Sequence, residues 1–291
     1  MASNPVFNRI EREAEQGYAG FRDRGPQPPQ PAAPAPSWGQ PTMSDQQLQE
    51  MYNQPPASAV QAGRVTLDDV VMKTAGLFTV VLVFAAIGWT LAPTSLGGVV
   101  ILGGIAATLV LGLVIAFKKT ISVPLIVGYA VVEGLMVGAI SNYYSTWFDE
   151  PDAPVFEGIV AQAVLATLSV FAGMLLAYTT GLIKVTAKFR RIVTMAIIGY
   201  AIFALINLGY VLFFGGSMFG FGGSGALGIG ISLFAIGLAS LSLALDFDSI
   251  ERAIAAGAPQ KYSWLLAHGL IVTLVWLYLE ILRLLGRLRS E

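Results

Sequence analysis

A few ionisable side chains lie inside long apolar runs of this sequence, and their chemistry has to be explained first. The stretch LSLALDFDSIER ends one apolar run with Asp246 and Asp248. The only histidine, His268, and two glutamates, Glu133 and Glu280, interrupt other apolar runs. An ionisable group in lipid is costly unless it faces a cavity or a partner, so these residues are functional candidates. Carboxylate oxygens also suit hard cations such as calcium.

Seven apolar segments must position these residues, and each is long enough to cross a bilayer. A hydrocarbon core about 30 Å thick takes about 20 residues of helix. The segments are 74–92, 98–117, 123–143, 159–183, 192–214, 225–245 and 264–282. Lipid offers the backbone no hydrogen-bond partners, so only helices satisfy segments of this length. The chain, 55% hydrophobic and 12% charged, is therefore predicted to be an all-α membrane protein, a bundle of seven transmembrane helices.

The N-terminal part of the chain has a different composition. Residues 1–66 hold 10 of the 15 prolines, and such a segment cannot bury enough apolar surface to offset its ordering entropy. We predict a disordered Pro-rich tail over residues 1–65 and a transmembrane domain over residues 66–291. No charged and apolar leader typical of a cleaved signal peptide is present, so the first helix is expected to direct insertion.

Composition and motifs exclude several classes of function. There is no cysteine, and the net charge of -1 argues against a nucleic-acid partner. The spelling GFGGSG offers Ser224 as a nucleophile, but this loop is predicted at the outer mouth, far from His268 in the inner third. No HExxH, phosphate-loop or cysteine-based metal motif occurs. Neither an enzymatic activity nor a cofactor is predicted.

Basic residues gather in alternate connections, and this pattern orients the bundle. The connections after helices two, four and six hold Lys118, Lys119, Lys184, Lys188, Arg190, Arg191, Arg252 and Lys261. The connections 93–97, 144–157 and 215–224 hold no lysine or arginine. Basic loops stay in the cytoplasm. The chain is therefore predicted to be a multi-pass protein of the cell membrane with a cytoplasmic N-terminus.

The last helix leaves two topologies open. Seven full spans place the C-terminus outside, where Arg283, Arg287 and Arg289 go against the charge rule. A last helix that re-enters the membrane and returns inside would remove this conflict.

Depth along the helices predicts a meeting between two of the candidates. Asp246 lies at the cytoplasmic end of helix six, and His268 lies about 10 Å into helix seven. We predict that they form a latch, an ion pair that loosens when the histidine loses its proton or the aspartate gains one. Glu133 and Glu280, about 21 and 28 Å from the cytoplasmic side, would attract cations from the outer half.

Structural roles compete with these functional ones. Asp248 can belong to an ordinary solvated turn together with Glu251 and Arg252. Glu280 can simply pair with Arg283, three residues further along the same helix face.

The order of helices and two local motifs resemble a known family. The DFDSI ending of helix six and the last helix TLVWLYLEILRLLG resemble the Bax inhibitor family of membrane proteins, in particular its bacterial YccA-like branch. SNPVF near the N-terminus and TLDDVVMKTAG before helix one are similar to actinobacterial members. The resemblance covers roughly residues 66–286.

The resemblance implies a pH-sensitive cation leak, with calcium as the ion, controlled by one acid on helix six and another on the last helix. Asp246 matches the first acid, since Ile250 follows it by four residues. The second position has two candidates. Matching LYLE selects Glu280, whereas counting back from Gly286 selects Thr273, which lies on the same helix face.

A role without transport stays open as well. The resemblance also implies a regulator or scaffold in a stress response that contacts a membrane-bound AAA protease. The Pro-rich tail would then bind the partner as an extended segment. The expected partners are calcium or other cations in transit, membrane lipids and such a protease, and the oligomeric state is not fixed by the sequence.

Overall fold

Seven long helices make up the part of the chain that the structure describes. The computed structural model describes residues 63–150, 154–214 and 219–290. Its helices are α1 (Leu67–Leu91), α2 (Gly97–Phe117), α3 (Val123–Phe148), α4 (Ile159–Thr179), α5 (Ala187–Phe214), α6 (Ala226–Ala255) and α7 (Tyr262–Arg289). All seven are long and apolar enough to cross a membrane. The predicted seven-helix membrane bundle is confirmed, and residues 1–62 of the predicted tail lie outside the described residues.

Several helices extend beyond their apolar segments. Helix α1 begins at Leu67, seven residues before the predicted start, because the Thr66 hydroxyl accepts a hydrogen bond from the Asp69 backbone N–H at 3.2 Å. Helix α6 continues ten residues past its predicted end, through Asp246 and on to Ala255. Hydropathy marks the part of a helix that lipid surrounds, whereas backbone hydrogen bonds decide where the helix ends.

The chain just before α1 is folded against the connection between α6 and α7. The Val65 N–H donates to the Ala258 carbonyl, and the Gln260 N–H donates to the Gly63 carbonyl, both at 2.8 Å. Val65 is buried in a small apolar cluster with Ile250 and Ala258. Residues 63–65, which the sequence assigned to the tail, therefore belong to the folded domain.

Helices α3 and α7 form the centre of the bundle. Of the residues in the most apolar stretch of each helix, 61% are buried in α7 and 50% in α3, but only 6% in α5. Helices α1, α4 and α6 all pack on α7, while α1 and α2 pack on α3. Side chains that point inward from α3 and α7 therefore meet protein rather than lipid.

Glycines bring α1 and α3 into close contact. A Cβ atom built on Gly138 would lie 1.9 Å from the Ala85 carbonyl oxygen, and one on Gly88 would lie 2.0 Å from the Leu135 carbonyl oxygen. Such separations are possible only when a glycine faces the neighbouring backbone. Small residues at helix interfaces have this role in membranes, where close packing replaces the hydrophobic effect as the source of association.

We expect Gly138→Ala to lower the free energy of unfolding by about 1–3 kcal/mol, because the added methyl group overpacks the α1–α3 contact. The matched control is Gly128→Ala on the same helix, where nothing lies within 4 Å of the added Cβ. The control should leave stability unchanged or slightly raised. Thermal unfolding in detergent measures both variants, and equal stability of the two would contradict the assigned contact.

Candidate functional site

Asp246 lies between α6 and the central helix α7. Its Oδ2 atom is buried and has no hydrogen-bond partner among the described residues. The Thr273 side chain is within hydrogen-bonding reach of the carboxylate. A Cβ atom built on Gly269 would lie 4.0 Å from Asp246 Oδ1. The carboxylate therefore rests against the turn of α7 that runs from Gly269 to Thr273.

His268 is buried close to this turn but faces a different helix. Its ring meets the Tyr129 ring of α3 edge-on, with 4.5 Å between centroids and 87° between planes. Among the described residues no hydrogen bond or ion pair joins His268 to Asp246. Successive residues of a helix are rotated by about 100°. Because Gly269 faces Asp246, its neighbour His268 points towards α3, and the predicted latch between the two side chains is not formed in this structure.

Glu133 is a second buried acid, on the other side of α7. It is 2% exposed, its Oε1 accepts a hydrogen bond from the Tyr129 hydroxyl at 3.1 Å, and its Oε2 has no partner among the described residues. It follows the first residue of α3, Val123, by ten residues, or about 15 Å. Glu133 thus lies in the first half of α3, less far along the helix than the about 21 Å that the prediction gave. The prediction measured its depth from Lys119, but the chain from there to Val123 is not helical.

These side chains form one layer of polar groups across the bundle, which we call the polar layer. It consists of Asp246 on α6, Thr273 and His268 on α7, and Tyr129 and Glu133 on α3. Each of its two carboxylates has one buried oxygen that no described donor satisfies. A buried carboxylate without a partner is costly. Such an oxygen is a place where a proton or a cation can bind.

Glu280 belongs to a separate cluster about two turns further along α7. Arg283 Nη1 lies 2.9 and 3.0 Å from its two carboxylate oxygens, and the Tyr200 hydroxyl of α5 donates to Oε1 at 2.6 Å. The carboxylate is buried, but a guanidinium compensates its charge. Of the two positions that the resemblance left open on the last helix, the structure places Thr273 beside Asp246 and Glu280 in an ion pair.

Asp248 lies outside the polar layer as well. Its Oδ2 is 2.5 Å from Arg190 Nη2 on α5 and 2.7 Å from Arg252 Nη2 on its own helix. This three-residue ion-pair network ties α5 to α6 at the end of the bundle where the basic connections lie, which we call the basic end. Asp248 thus has structural contacts, but it lies within α6 and pairs with another helix, not in the solvated turn with Glu251 and Arg252 that the sequence suggested.

The arginines at the end of α7 are bound by other groups of the protein. Arg287 is 2% exposed and donates to the Phe219 carbonyl at 3.1 Å, the Ser232 hydroxyl at 2.9 Å and the Gly228 carbonyl. Arg289 pairs with Asp149 at 2.6 Å. Bound in this way, these charges are not the loose basic residues to which the orientation rule applies. Helix α7 is also continuous over 28 residues, so a re-entrant last helix has no support.

Sequence reasoning missed two tyrosines that hydrogen-bond the buried glutamates. Tyr129 precedes Glu133 by four residues, the spacing at which side chains meet on a helix, so the sequence held a signal for this pair. Tyr200 reaches Glu280 from another helix, and its place depends on how α5 packs against α7. No local pattern reveals that contact.

The fold and the polar layer together define a polytopic α-helical membrane protein that carries acids inside its bundle. Comparison with protein families gives the particular group: residues 4–290 match the model described as Bax inhibitor 1 like. The chain belongs to this family. A search of curated proteins gave no match.

We expect Arg283→Gln to destabilise the protein by about 3 kcal/mol, because it leaves the Glu280 carboxylate buried without its cation. Glu280→Gln should cost less, since the Arg283 side chain is 35% exposed and that of Glu280 only 4%. Unfolding in mixed detergent micelles measures both variants. The double variant should be more stable than Arg283→Gln alone. Equal losses in the two single variants would contradict the burial argument.

Proposed function

We propose that the protein is a passive cation channel of the cell membrane, with calcium as its main ion and a proton-sensitive gate in the polar layer. The observation that carries this proposal is the pair of buried carboxylates, Asp246 and Glu133, each with an oxygen that no described donor satisfies. Family membership supports it, because the Bax inhibitor resemblance implies such a leak. The orientation proposed with it places the basic end and the N-terminus in the cytoplasm, in accord with the basic loops.

The energetic argument starts from the cost of an acid in a membrane. A helix that needed only to pack would gain stability from an apolar residue at either position, so buried acids indicate an ion or proton pathway. Ionised carboxylates attract calcium, which prefers oxygen ligands. Among the described residues no three aspartate, glutamate, histidine or cysteine side chains come together. Single carboxylates bind a cation weakly, as transit through a leak requires.

Asp246 is the proposed gate. It lies between α6 and α7, and the count back from Gly286, one of the two matches that the resemblance allowed, expects a second acid where this chain has Thr273. A threonine does not change its charge, so the proton response would depend on Asp246 and on the other titratable members of the layer, His268 and Glu133. Protonation of Asp246 changes its charge beside Thr273, whose hydroxyl donates to the Gly269 carbonyl, and this change alters the contact between the two helices.

This gate is tested by calcium flux into liposomes between about pH 5.5 and 8. Histidine and perturbed acids titrate in this range. Asp246→Asn should give a flux that varies less with pH than that of the native protein, because only His268 and Glu133 then remain as titratable members of the layer. Glu133→Gln should lower flux severalfold by removing a charge from the path. The matched control is Asp149→Asn, which removes an ion-paired acid at the opposite end. Absence of flux from the folded native protein would refute the channel. Unchanged pH profiles in both Asp246→Asn and His268→Ala would refute the gate.

The alternative is a regulator or scaffold without transport, and one observation favours it. The chain that follows the Pro-rich segment is bonded to the α6–α7 connection, and the Gln260 side chain also donates to both carboxylate oxygens of Asp69, at 3.0 and 3.2 Å. A partner that pulled on residues 1–62 would therefore act on the two helices that hold Asp246 and Thr273. A membrane-bound AAA protease is the proposed partner.

Deletion of residues 1–62, which leaves the bonded residues 63–65 in place, separates the two functions. If the protein is a channel, calcium flux should persist in the shortened protein. If it is a scaffold, the native protein should carry no flux and the deletion should abolish co-purification of the protease. Flux together with unchanged protease binding after the deletion would reject the tail as the docking segment.

A further inference from the structure

A deep apolar groove runs along the bundle between α1 and α4. Both helices pack on α7, yet no residue of α1 has its Cα atom within 8 Å of one in α4. The gap between them has a volume of about 870 Å³, and its walls reach from Leu67 to Trp89 on α1 and from Val160 to Leu175 on α4. Side chains of α7, among them Leu274 and Tyr278, form its floor.

The groove opens sideways to the membrane. Residues along both rims are exposed, including Val71, Leu82, Val164 and Leu168. From Leu67 to Trp89 the helical rise gives a length of about 33 Å, comparable with the hydrocarbon thickness of a bilayer. The lining contains no charged residue. Whatever occupies the groove in a membrane is long and apolar.

The size of the groove selects among apolar occupants. A helix about 10 Å wide and 33 Å long has a volume of roughly 2,600 Å³. All the empty space of the groove, its open side included, is about 2100 Å³, so a transmembrane helix of a partner or of a second copy could enter it only in part. Extended acyl chains are narrow enough to enter it completely.

A polar pocket lies beyond the basic end of the groove. Its lining includes Tyr178, Thr179 and Lys184 from the end of α4 and the chain after it, and Glu251 of α6. The Tyr178 ring contacts the Phe247 ring at 5.7 Å between centroids, and Phe247 also lines the apolar groove. The two cavities thus follow one another along α4 and α6, apolar first and polar at the membrane boundary.

The charge beside this pocket is positive. Lys184, Lys188 and Arg191 are exposed and have no hydrogen bond or ion pair with the described residues, whereas Arg190 is bound to Asp248. The one acid in the pocket, Glu251, accepts a hydrogen bond from the Tyr178 hydroxyl at 2.5 Å. These three cations are suited to bind an anionic group, such as a phosphate or a headgroup that also carries hydroxyls.

We propose that the α1–α4 groove and the Lys184 pocket together bind an anionic phospholipid, with its acyl chains in the groove and its phosphate beside Lys184. A zwitterionic headgroup would carry its own cation into a cationic site, so the anionic lipid is favoured. Each basic residue near a lipid surface adds about 1 kcal/mol of attraction for anionic lipid. The binding does not depend on whether the protein conducts ions.

The test uses full-length protein in detergent with an equimolar mixture of dioleoyl phosphatidylglycerol and dioleoyl phosphatidylcholine, and native mass spectrometry counts each bound lipid. Native protein should retain phosphatidylglycerol preferentially. Lys184→Gln should lower this preference about fivefold, whereas Lys118→Gln, at the same end but away from the groove, should not.

Ala75→Phe narrows the groove and should lower retention of both lipids, and Ala106→Phe on the exposed face of α2 is its control. If Ala75→Phe does not fold, Ala75→Leu replaces it.

Three results would overturn the proposal. Equal retention of the two lipids by native protein would mean that the bound molecules belong to the general lipid annulus. If Lys184→Gln lost the preference for phosphatidylglycerol but Ala75→Phe had no effect, the protein would bind only the lipid headgroup and not the acyl chains. An effect of groove filling without any effect of Lys184→Gln would remove the anionic lipid and leave an apolar ligand of another kind.

Discussion

The cost of an unsatisfied polar group in lipid governs this structure, and helix α7 is where that cost is met. It is the last helix of the chain and the most enclosed one, and it carries His268, Thr273, Glu280 and Arg287 into the protein. Its neighbours supply the partners: Tyr129 from α3, Tyr200 from α5, and the backbone carbonyl groups of α6 and the chain before it. The polar side chains of α7 are tolerated because α1, α3, α4 and α6 pack on it and α5 contributes the Tyr200 hydroxyl.

The polar groups are not satisfied equally, and the difference separates the positions with a structural role from those proposed as functional. At the end of α7 every charge has a partner: Glu280 has Arg283, Arg289 has Asp149, and Arg287 has carbonyl oxygens. In the polar layer, Asp246 and Glu133 each keep one oxygen without a described donor. The Nε atom of Arg287 is also buried without a partner among the described residues, but it is a donor on a guanidinium whose other two nitrogens are bonded. An unsatisfied carboxylate oxygen is an acceptor, and it leaves room for a proton or an ion.

The number and type of the helices could be predicted because length and apolarity alone determine them in a membrane. Helix boundaries could not, since Asp69 precedes and Asp248 follows the apolar segments that hydropathy marks, yet both residues lie within helices. The residue next to His268 does lie against Asp246, but the direction of the His268 side chain was not predicted. A membrane helix that is apolar on all faces does not show in its sequence which face points into the bundle. Only the packing of α6 on α7 showed that Gly269, and not His268, faces Asp246.

The bond between Tyr129 and Glu133 lies within a single helix, and this has a consequence for how the protein is made. Chains fold from the N-terminus during synthesis, so α3 enters the membrane well before α7 exists. During that interval Glu133 has no central helix to cover it, and the hydroxyl one turn below is the partner it already possesses. The glycine contacts let α1 close on α3 at the same stage. The nascent protein thus shields its most deeply placed acid with groups from its own first half until the final helix arrives.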